Sequence, residues 1–383
     1  MKKILVIHNS YQKLGGEDIA VENEINILKK HFEVETILFD NNLHNYFLQI
    51  FYFIFATNLK SNSIVRDKII EVNPDLIYVH NTWFKASLGI FRIIRRFNIP
   101  VILKLHNFRY NCTRSILSNK HLSGRNICKA CGYKKKGAGI FNKYFNESWI
   151  KSLLIIIYGR KYFNLLKNNN FKIVVLTNFH KNYLGSLKNF ESKVYVHPNP
   201  LEVIKKDTDS SDNLCLTYAG RVSEEKGVKE LIDAFLEANL SNINLKIIGS
   251  GPDLDYLKQK YFEKKNILFL GFLENTETLE HINNSLAVIT STKLYEGQPT
   301  LLCEASLLGI PSIFPDSGGI KEFFPEGYPL SYAPFDKDSL VNVIKKIENS
   351  DLMKESSIKA FDHISTYLDE NRLIKNFLGI VND

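Results

Sequence analysis

The chain has 383 residues, of which 44% are hydrophobic and 23% charged, and its net charge is +8. That length points to two domains of about 150–200 residues each, and the composition excludes disorder as the main theme. Charge is unevenly spread: residues 1–200 hold 30 Lys and Arg against 12 Asp and Glu (+18), whereas residues 201–383 hold 19 against 29 (−10). A basic first half and an acidic second half imply a division of labour, with nucleic acid, a phosphorylated acceptor or an anionic membrane surface facing the basic half. A Lys-rich solubilising surface would look the same.

Taken in chain order, Lys3–His8 is a short apolar strand without the small-residue cleavage site of a signal peptide. It runs into Gly15-Gly16 and then Glu17–His31, whose Ile19, Val21, Ile25 and Leu28 follow helical spacing. Val34–Phe39 is a second strand. Asn73-Pro74-Asp75 marks a turn before strand Leu76–His80. Leu88–Phe97 reads as helix, Pro100–Leu105 as a strand ending at His106, and Ile173–Leu176 and Lys193–Val196 as two more strands. Strands alternating with helices predict a parallel, doubly wound α/β sheet.

His197–Asp212, with two prolines and a polar run, is the expected linker, after which the pattern restarts. Strands are predicted at Leu214–Tyr218, Leu245–Ile248, Asn266–Phe269, Ala287–Thr290 and Ser312–Phe314, with helices at Val228–Ala238 and Asp253–Tyr261. Two Rossmann-like domains with a cleft between them follow, bounded as 1–198 and 199–362, with 363–383 a C-terminal helix packing back on the first domain. No stretch has the roughly 18–20 apolar residues a spanning helix needs. Five cysteines at uneven spacing, without a signal sequence, suggest a reduced, cytoplasmic setting.

Ligands of open α/β sheets bind beyond the carboxyl ends of the strands. After Ala287–Thr290 come Glu296, Gly297, Gln298 and Pro299, and Thr300 opens a helix. Its free backbone N–H groups suit phosphate. Glu304, one turn on, can accept two hydrogen bonds from a ribose diol, and Glu296 can take sugar hydroxyls; equally, both acids could merely complement the helix dipole. Strand Leu214–Tyr218 leads to Gly220, Arg221 and Lys226, a fork and a point charge suited to a diphosphate, or else surface partners of Glu224 and Glu225. The Gly249-Ser250-Gly251-Pro252 turn lets backbone lie close to a ligand, and Gly271-Phe272 could hold a base through backbone groups. Asp253-Leu254-Asp255 reads as the first turn of a helix rather than a metal motif.

Together, Ala219-Gly220-Arg221-Val222 with Lys226-Gly227, Ile248 through Pro252, Gly271-Phe272, Glu296-Gly297 through Glu304-Ala305, and Ser317-Gly318-Gly319-Ile320-Lys321-Glu322 resemble glycosyltransferase family 4. These are retaining enzymes of the GT-B fold that include bacterial surface-polysaccharide enzymes. The resemblance implies that Arg221 and Lys226 hold the donor diphosphate, Glu304 the ribose, Glu296 the transferred sugar, and the amides around Thr300 and Leu301 the phosphates. Gly15 and Gly16 resemble the family's glycine-rich loop. Pro74–His80 and Pro100–Arg109 resemble its histidine-bearing strands, which places His106 beside the donor sugar. His106, Arg221, Lys226 and Glu296 are thus the expected catalytic positions. Gly15, Gly16, Gly220, Gly249, Gly271, Phe272, Gly297, Thr300, Leu301 and Glu304 are the expected binding positions. Gln298-Pro299-Thr300 stands where many members have Phe-Gly-Leu, Asn107 where Asp is frequent, and Pro200 where Gly is frequent.

The expected activity is hexosyl transfer from a nucleotide-sugar to a glycan or lipid-linked acceptor, with no cofactor required and no nucleic acid bound. The alternatives are a nucleotide-sugar epimerase of the same fold, or a nucleic-acid-binding protein, which would need aromatics interleaved with the basic residues. Cys112, Cys128 and Cys131, with Lys134–Lys136 beyond, give either an incomplete zinc set awaiting a fourth ligand such as His121, or a loop of reduced cysteines shaping the acceptor site. Tyr46–Ala56 and Trp149–Tyr158 are apolar stretches too short to span a bilayer. They are either buried helix faces or a means of peripheral attachment to the anionic inner membrane.

Overall fold

A computed structural model describes residues 2–10, 16–41, 46–112, 127–132, 149–168, 171–187, 190, 193–202 and 214–383. The chain divides into two compact units, Met1–Pro200 with Glu370–Asp383, and Leu201–Asp369. The second change of unit falls at 369/370 rather than 362/363, because one helix runs unbroken over Ser350–Tyr367. Most of the expected linker, residues 203–213, lies outside the described residues.

The first unit is built on β1 (Lys3–Asn9), β2 (Glu33–Phe39), β3 (Leu76–Val79), β4 (Val101–Leu105), β5 (Lys172–Val175) and β6 (Val194–Val196). They form one sheet in the order β2-β1-β3-β4-β5-β6, parallel throughout. β3 and β4 are buried at every residue, which is why they read as continuous apolar runs rather than alternating ones. Among the described residues, the helices of this unit are α1 (Gly16–His31), α2 (Tyr46–Phe55), α3 (Leu59–Val72), α4 (Ile90–Ile94), α5 (Arg109–Cys112), α6 (Trp149–Asn168) and α7 (Asn178–Gly185). The turn read at Asn73-Pro74 is a helix stop. Asn73 takes the left-handed conformation and donates its N–H to Ile69 O, closing α3. The helix expected over Leu88–Phe97 shortens to α4, followed by a 3-10 turn at Arg95–Phe97.

The second unit has β7 (Cys215–Ala219), β8 (Asn244–Ile248), β9 (Ile267–Gly271), β10 (Ala287–Ile289), β11 (Ser312–Pro315) and β12 (Ser331–Tyr332). Their order is β12-β11-β10-β7-β8-β9, again parallel. β12, two residues at the sheet edge, is too short to leave a pattern in the sequence. Its helices are α8 (Val228–Ala238), α9 (Leu254–Lys260), α10 (Asn275–Asn283), α11 (Thr300–Leu307), α12 (Lys337–Lys345) and α13 (Ser350–Tyr367). Asp253 precedes the first turn of α9, so Asp253-Leu254-Asp255 is a helix start.

A last helix, α14 (Glu370–Asn382), returns to the first unit. Leu373, Ile374, Phe377 and Ile380 are its buried face, and Ile374, Phe377 and Ile380 share a core cluster with Ile4, Val6, Val21, Leu28 and Tyr78. Beneath that cluster lies a buried polar network. Lys104 Nζ on β4 donates to Glu24 Oε2 on α1 (2.7 Å), and Tyr78 Oη donates to Glu24 Oε1 (2.7 Å). His197 Nε2 stands 3.4 Å from Glu24 Oε1, while its Nδ1 lies 2.9 Å from Asn376 Oδ1 on α14. Burial alone would raise the Glu24 carboxyl, but the Lys104 ammonium and the His197 hydrogen bond hold it well below the usual carboxylate range.

Candidate active site

In each sheet the chain leaves from the middle, fills one side and then crosses to the other. The reversal lies between β1 and β3 in the first unit and between β7 and β10 in the second. Loops diverge at such a point and open a crevice at the carboxyl ends of the strands. In the second unit, Arg221 and Lys226 follow β7 and Glu296 follows β10, so these three flank the reversal.

The strand ends there are laced by backbone. Gly220 N donates to Ile248 O (2.9 Å), Val222 N to Ser250 O (3.0 Å) and Gly249 N to Gly271 O (2.6 Å). Gly249 sits at φ +133, and a Cβ on it would lie 1.9 Å from Gly220 O, so only glycine lets the β7 and β8 loops approach this closely. Gly227, at φ +67, places its Cα against Ser291; a Cβ there would lie 2.2 Å from Ser291 O. Ser291 Oγ lies within hydrogen-bond distance, 3.0 Å, of both Lys226 O and Gly227 O. The β7 loop is thereby pinned to the β10 loop.

That clamp brings Lys226 onto Glu296. Lys226 Nζ lies 2.5 Å from Glu296 Oε1, and Thr292 Oγ1 donates to the same oxygen at 2.8 Å. Burial acts to raise the Glu296 carboxyl, but the Lys226 ammonium and the two hydrogen bonds outweigh it and hold Glu296 ionised, below its ordinary value. Lys226 therefore pairs with Glu296 and not with its neighbours Glu224 and Glu225. Gly319 N donates to Glu296 O (2.9 Å), which anchors the Ser317-Gly318-Gly319 turn to the same loop. Arg221 is exposed, and its guanidinium meets no partner among the described residues.

Glu304 is the unusual group. It lies on α11, only 6% exposed, and its carboxylate has no hydrogen-bond or ion-pair partner among the described residues. Burial pushes it from 4.5 up to about 7. A buried acid without a partner costs stability, and it sits one turn inside the helix whose N-terminus faces the same strand ends. Thr300 N, expected to be open, donates to Gln298 O (3.0 Å), because Pro299 bends the chain tightly into the helix. Among the described residues, the first-turn amides with no acceptor are those of Leu301 and Leu302. Gly271 (φ +76) has nothing within 4 Å of where a Cβ would lie, and Phe272 is 66% exposed, so that strand end offers backbone and an aromatic face. Gly297 lies between Glu296 and Gln298, partly buried.

In the first unit, histidines gather at the reversal. His80, just beyond β3, shares a hydrogen bond with His106, just beyond β4 (Nδ1 to Nε2, 3.0 Å), and the rings stack at 5.4 Å. Burial is the main cause that lowers both, His80 to about 3 and His106 well below its ordinary value, so both are neutral near pH 7. His8 on β1 lies 2.9 Å from Asp18 Oδ1. Asp18 was not singled out by the sequence, and His80 only as the end of Pro74–His80. Asp18 looks like an acid complementing a helix dipole, and only the ten-residue return from β1 into α1 brings it to His8. Gly16 is the first residue of α1, with nothing within 4 Å of a would-be Cβ; Gly15 lies outside the described residues.

Cys112, Cys128 and Cys131 come together, their Sγ atoms within 4.8 Å of one another; His121 and Lys134–Lys136 lie outside the described residues. No helix among the described residues is long and apolar enough to cross a membrane. On α2, however, Phe51, Ile54 and Phe55 are exposed, as is Leu59 at the start of α3.

Residues 201–361, nearly all of the second unit, match the family model described as glycosyl transferases group 1. Among curated proteins, the amylovoran biosynthesis glycosyltransferase AmsD of Erwinia amylovora is 27% identical over 175 residues, covering 42% of this chain and 48% of that protein. A lipopolysaccharide 1,2-N-acetylglucosaminetransferase of Salmonella typhimurium is 27% identical over 164 residues, covering 39% and 43%. The matched segment spans less than half the length of each. Among solved structures, a sucrose-phosphate synthase from Thermosynechococcus elongatus superposes with TM-score 0.72 at 14% identity, over 100% of this chain and 98% of that one. Anabaena HepE in complex with UDP and glucose does so with TM-score 0.68 at 18% identity, over 100% of both chains. Two α/β units on parallel six-stranded sheets, alike over the whole chain to such structures, make this a GT-B fold.

Proposed function

We propose that this protein is a retaining glycosyltransferase that moves a hexosyl group from a nucleotide-sugar to a glycan or lipid-linked acceptor in bacterial surface-polysaccharide assembly. The observation that carries the reading is Glu304, a buried carboxylate with no partner among the described residues, on the helix that opens beyond the same strand ends as Arg221 and Lys226. A ribose diol supplies the two donors this carboxylate lacks. The match of the second unit to the group 1 family model and the names of the curated relatives support the same reading.

In this mechanism Arg221 forks onto the diphosphate and Lys226 turns from Glu296 toward it, neutralising the charge that develops as the leaving group departs. The Leu301 and Leu302 amides meet the same phosphates. Glu296, released from Lys226 and still held by Thr292, takes hydroxyls of the transferred sugar. Neutral His106, held by the hydrogen bond it shares with His80, offers a hydrogen bond rather than a positive charge to a ligand at the β4 end of the first unit. The diphosphate is met by side-chain cations, so the transfer requires no metal. The acceptor is recognised by the first unit, whose basic surface and exposed Phe51, Ile54 and Phe55 suit work at an anionic cytoplasmic membrane face.

The test is a thermal-shift screen with UDP, GDP and ADP and their sugars, starting with UDP because HepE is bound to it. A ligand that binds only the folded state at 100 times its Kd stabilises by about 2.7 kcal/mol. One nucleotide should raise the melting temperature of the wild type and fail with Arg221→Ala. No shift with any of them would remove the donor site. Transfer assays with NMR of the product then read the anomeric configuration, and an inverted linkage would refute retention. Flotation with anionic and zwitterionic vesicles tests the membrane contact, which fails if neither binds.

A further inference from the structure

Of the five cysteines in the chain, three converge in the first unit. Cys112 ends α5, and Cys128 and Cys131 come from the segment 127–132. Cys112 and Cys128 are buried, Cys131 partly so, and none of the three is in a disulfide. Cys112 Sγ and Cys128 Sγ are 3.7 Å apart, far beyond the ~2.05 Å of a disulfide. The distance is the one a metal sets. Two sulfurs about 2.3 Å from a tetrahedral zinc stand roughly 3.8 Å apart.

The backbone is shaped for the same purpose. Cys128-Lys129-Ala130-Cys131-Gly132 turns back on itself, with Gly132 N donating to Cys128 O (2.9 Å) and Gly132 at φ +74. A two-residue spacer closed by a left-handed glycine points both thiols to one side, and Cys112 meets them from another element. Ile155 and Ile156 of α6 pack the trio, with Trp83 alongside.

We propose that Cys112, Cys128 and Cys131 bind one zinc ion, with a fourth, non-cysteine ligand, as a structural site of the first unit. The metal ties the segment 127–132 to α5 and so to the β4 end that carries His106, Asn107 and Phe108. It takes no part in sugar transfer. Its removal loosens the first unit and leaves nucleotide binding by the second unit intact.

The experiment begins with full-length wild-type protein purified without chelator and analysed by elemental mass spectrometry and by thiol titration. One zinc per chain is expected, released by a mercurial that blocks thiols. Replacement by Co²⁺ should give the intense visible bands of a tetrahedral site together with thiolate-to-cobalt charge transfer. Cys112→Ser, Cys128→Ser and Cys131→Ser should each lose at least tenfold in zinc affinity, while Cys215→Ala keeps the metal. After chelation the melting transition of the first unit should fall, and the nucleotide-induced shift of the second should persist. A wild-type protein that binds neither zinc nor cobalt stoichiometrically overturns the proposal, as does a disulfide among the three in freshly purified protein. So does cobalt bound without thiolate charge transfer. The wild-type measurements stand even where a serine variant fails to fold.

Discussion

Replacing Glu304 with Gln keeps the shape of the side chain and removes its charge. In the folded protein the carboxyl is raised by burial from 4.5 to about 7. A group whose folded value lies above its unfolded one stabilises the fold fully below the unfolded value and loses that contribution as pH rises through the folded one. Ionised Glu304 therefore weakens the unliganded protein above about pH 7, by about 3 kcal/mol at roughly 1.4 kcal/mol per unit. Glu304→Gln should melt close to wild type at pH 4.5 and higher than wild type at pH 8. The gain should be roughly 6–12 °C for a unit of this size. The same variant should lose about tenfold or more in donor affinity, since an amide offers one acceptor oxygen where the carboxylate offers two, and no charge. Differential scanning fluorimetry across pH, with nucleotide titration at pH 8, reads both effects. A variant less stable than wild type at pH 8, or one whose pH profile parallels wild type, would show that Glu304 has a partner in the folded state and refute the reasoning.

Arg221→Ala removes an exposed side chain with no partner among the described residues, so it should change stability by less than about 0.5 kcal/mol while lowering kcat by about 10²–10³; steady-state kinetics with near-normal turnover would exclude it from leaving-group stabilisation. Lys226→Met should cost a similar factor in turnover, and calorimetry should find weaker diphosphate binding. Gly249→Ala forces a Cβ onto Gly220 O and a residue into φ +133, so it should destabilise the second unit by about 3 kcal/mol or more, read by urea denaturation. Lys104→Met strands Glu24 without its cation and should cost about 3–5 kcal/mol, whereas the double variant Lys104→Met/Glu24→Leu should recover most of it. Additivity of the two changes would mean that the pair is not coupled.

Much of the second unit could be read from sequence because its strands and candidate residues follow one another within short segments. Arg221 and Lys226 stand on one loop and Glu296 and Glu304 on another, each announced by a strand before and a helix after. What could not be read was which groups meet. Lys226 has nearer acids at Glu224 and Glu225, yet the clamp of Gly227 against Ser291 delivers it to Glu296. Thr292 was passed over as loop chemistry, though it fixes the Glu296 carboxylate. In the first unit, Lys104 sits inside Val101–Leu105, where a lysine suggests a strand with one face in water. Its partner Glu24 is 80 residues away, and only the parallel crossover brings α1 over β4. The stop at Asn73-Pro74 was legible because backbone conformation is local, while β12 depends on β11 to be a strand at all.

The return of α14 to the first unit bears on the order in which the protein is made. A chain emerging from the ribosome ordinarily folds its N-terminal domain first. Here α1 covers only part of the face of Ile4, Val6 and Tyr78; the rest stays open, and His197 lacks Asn376, until residues 370–382 have been synthesised. The second unit, continuous from Leu201 to Asp369, has every residue it needs before that point. The later half of the chain is thus equipped to fold first, and the nascent first half carries an open apolar face throughout its synthesis, the interval in which a chaperone that shields such faces would matter most.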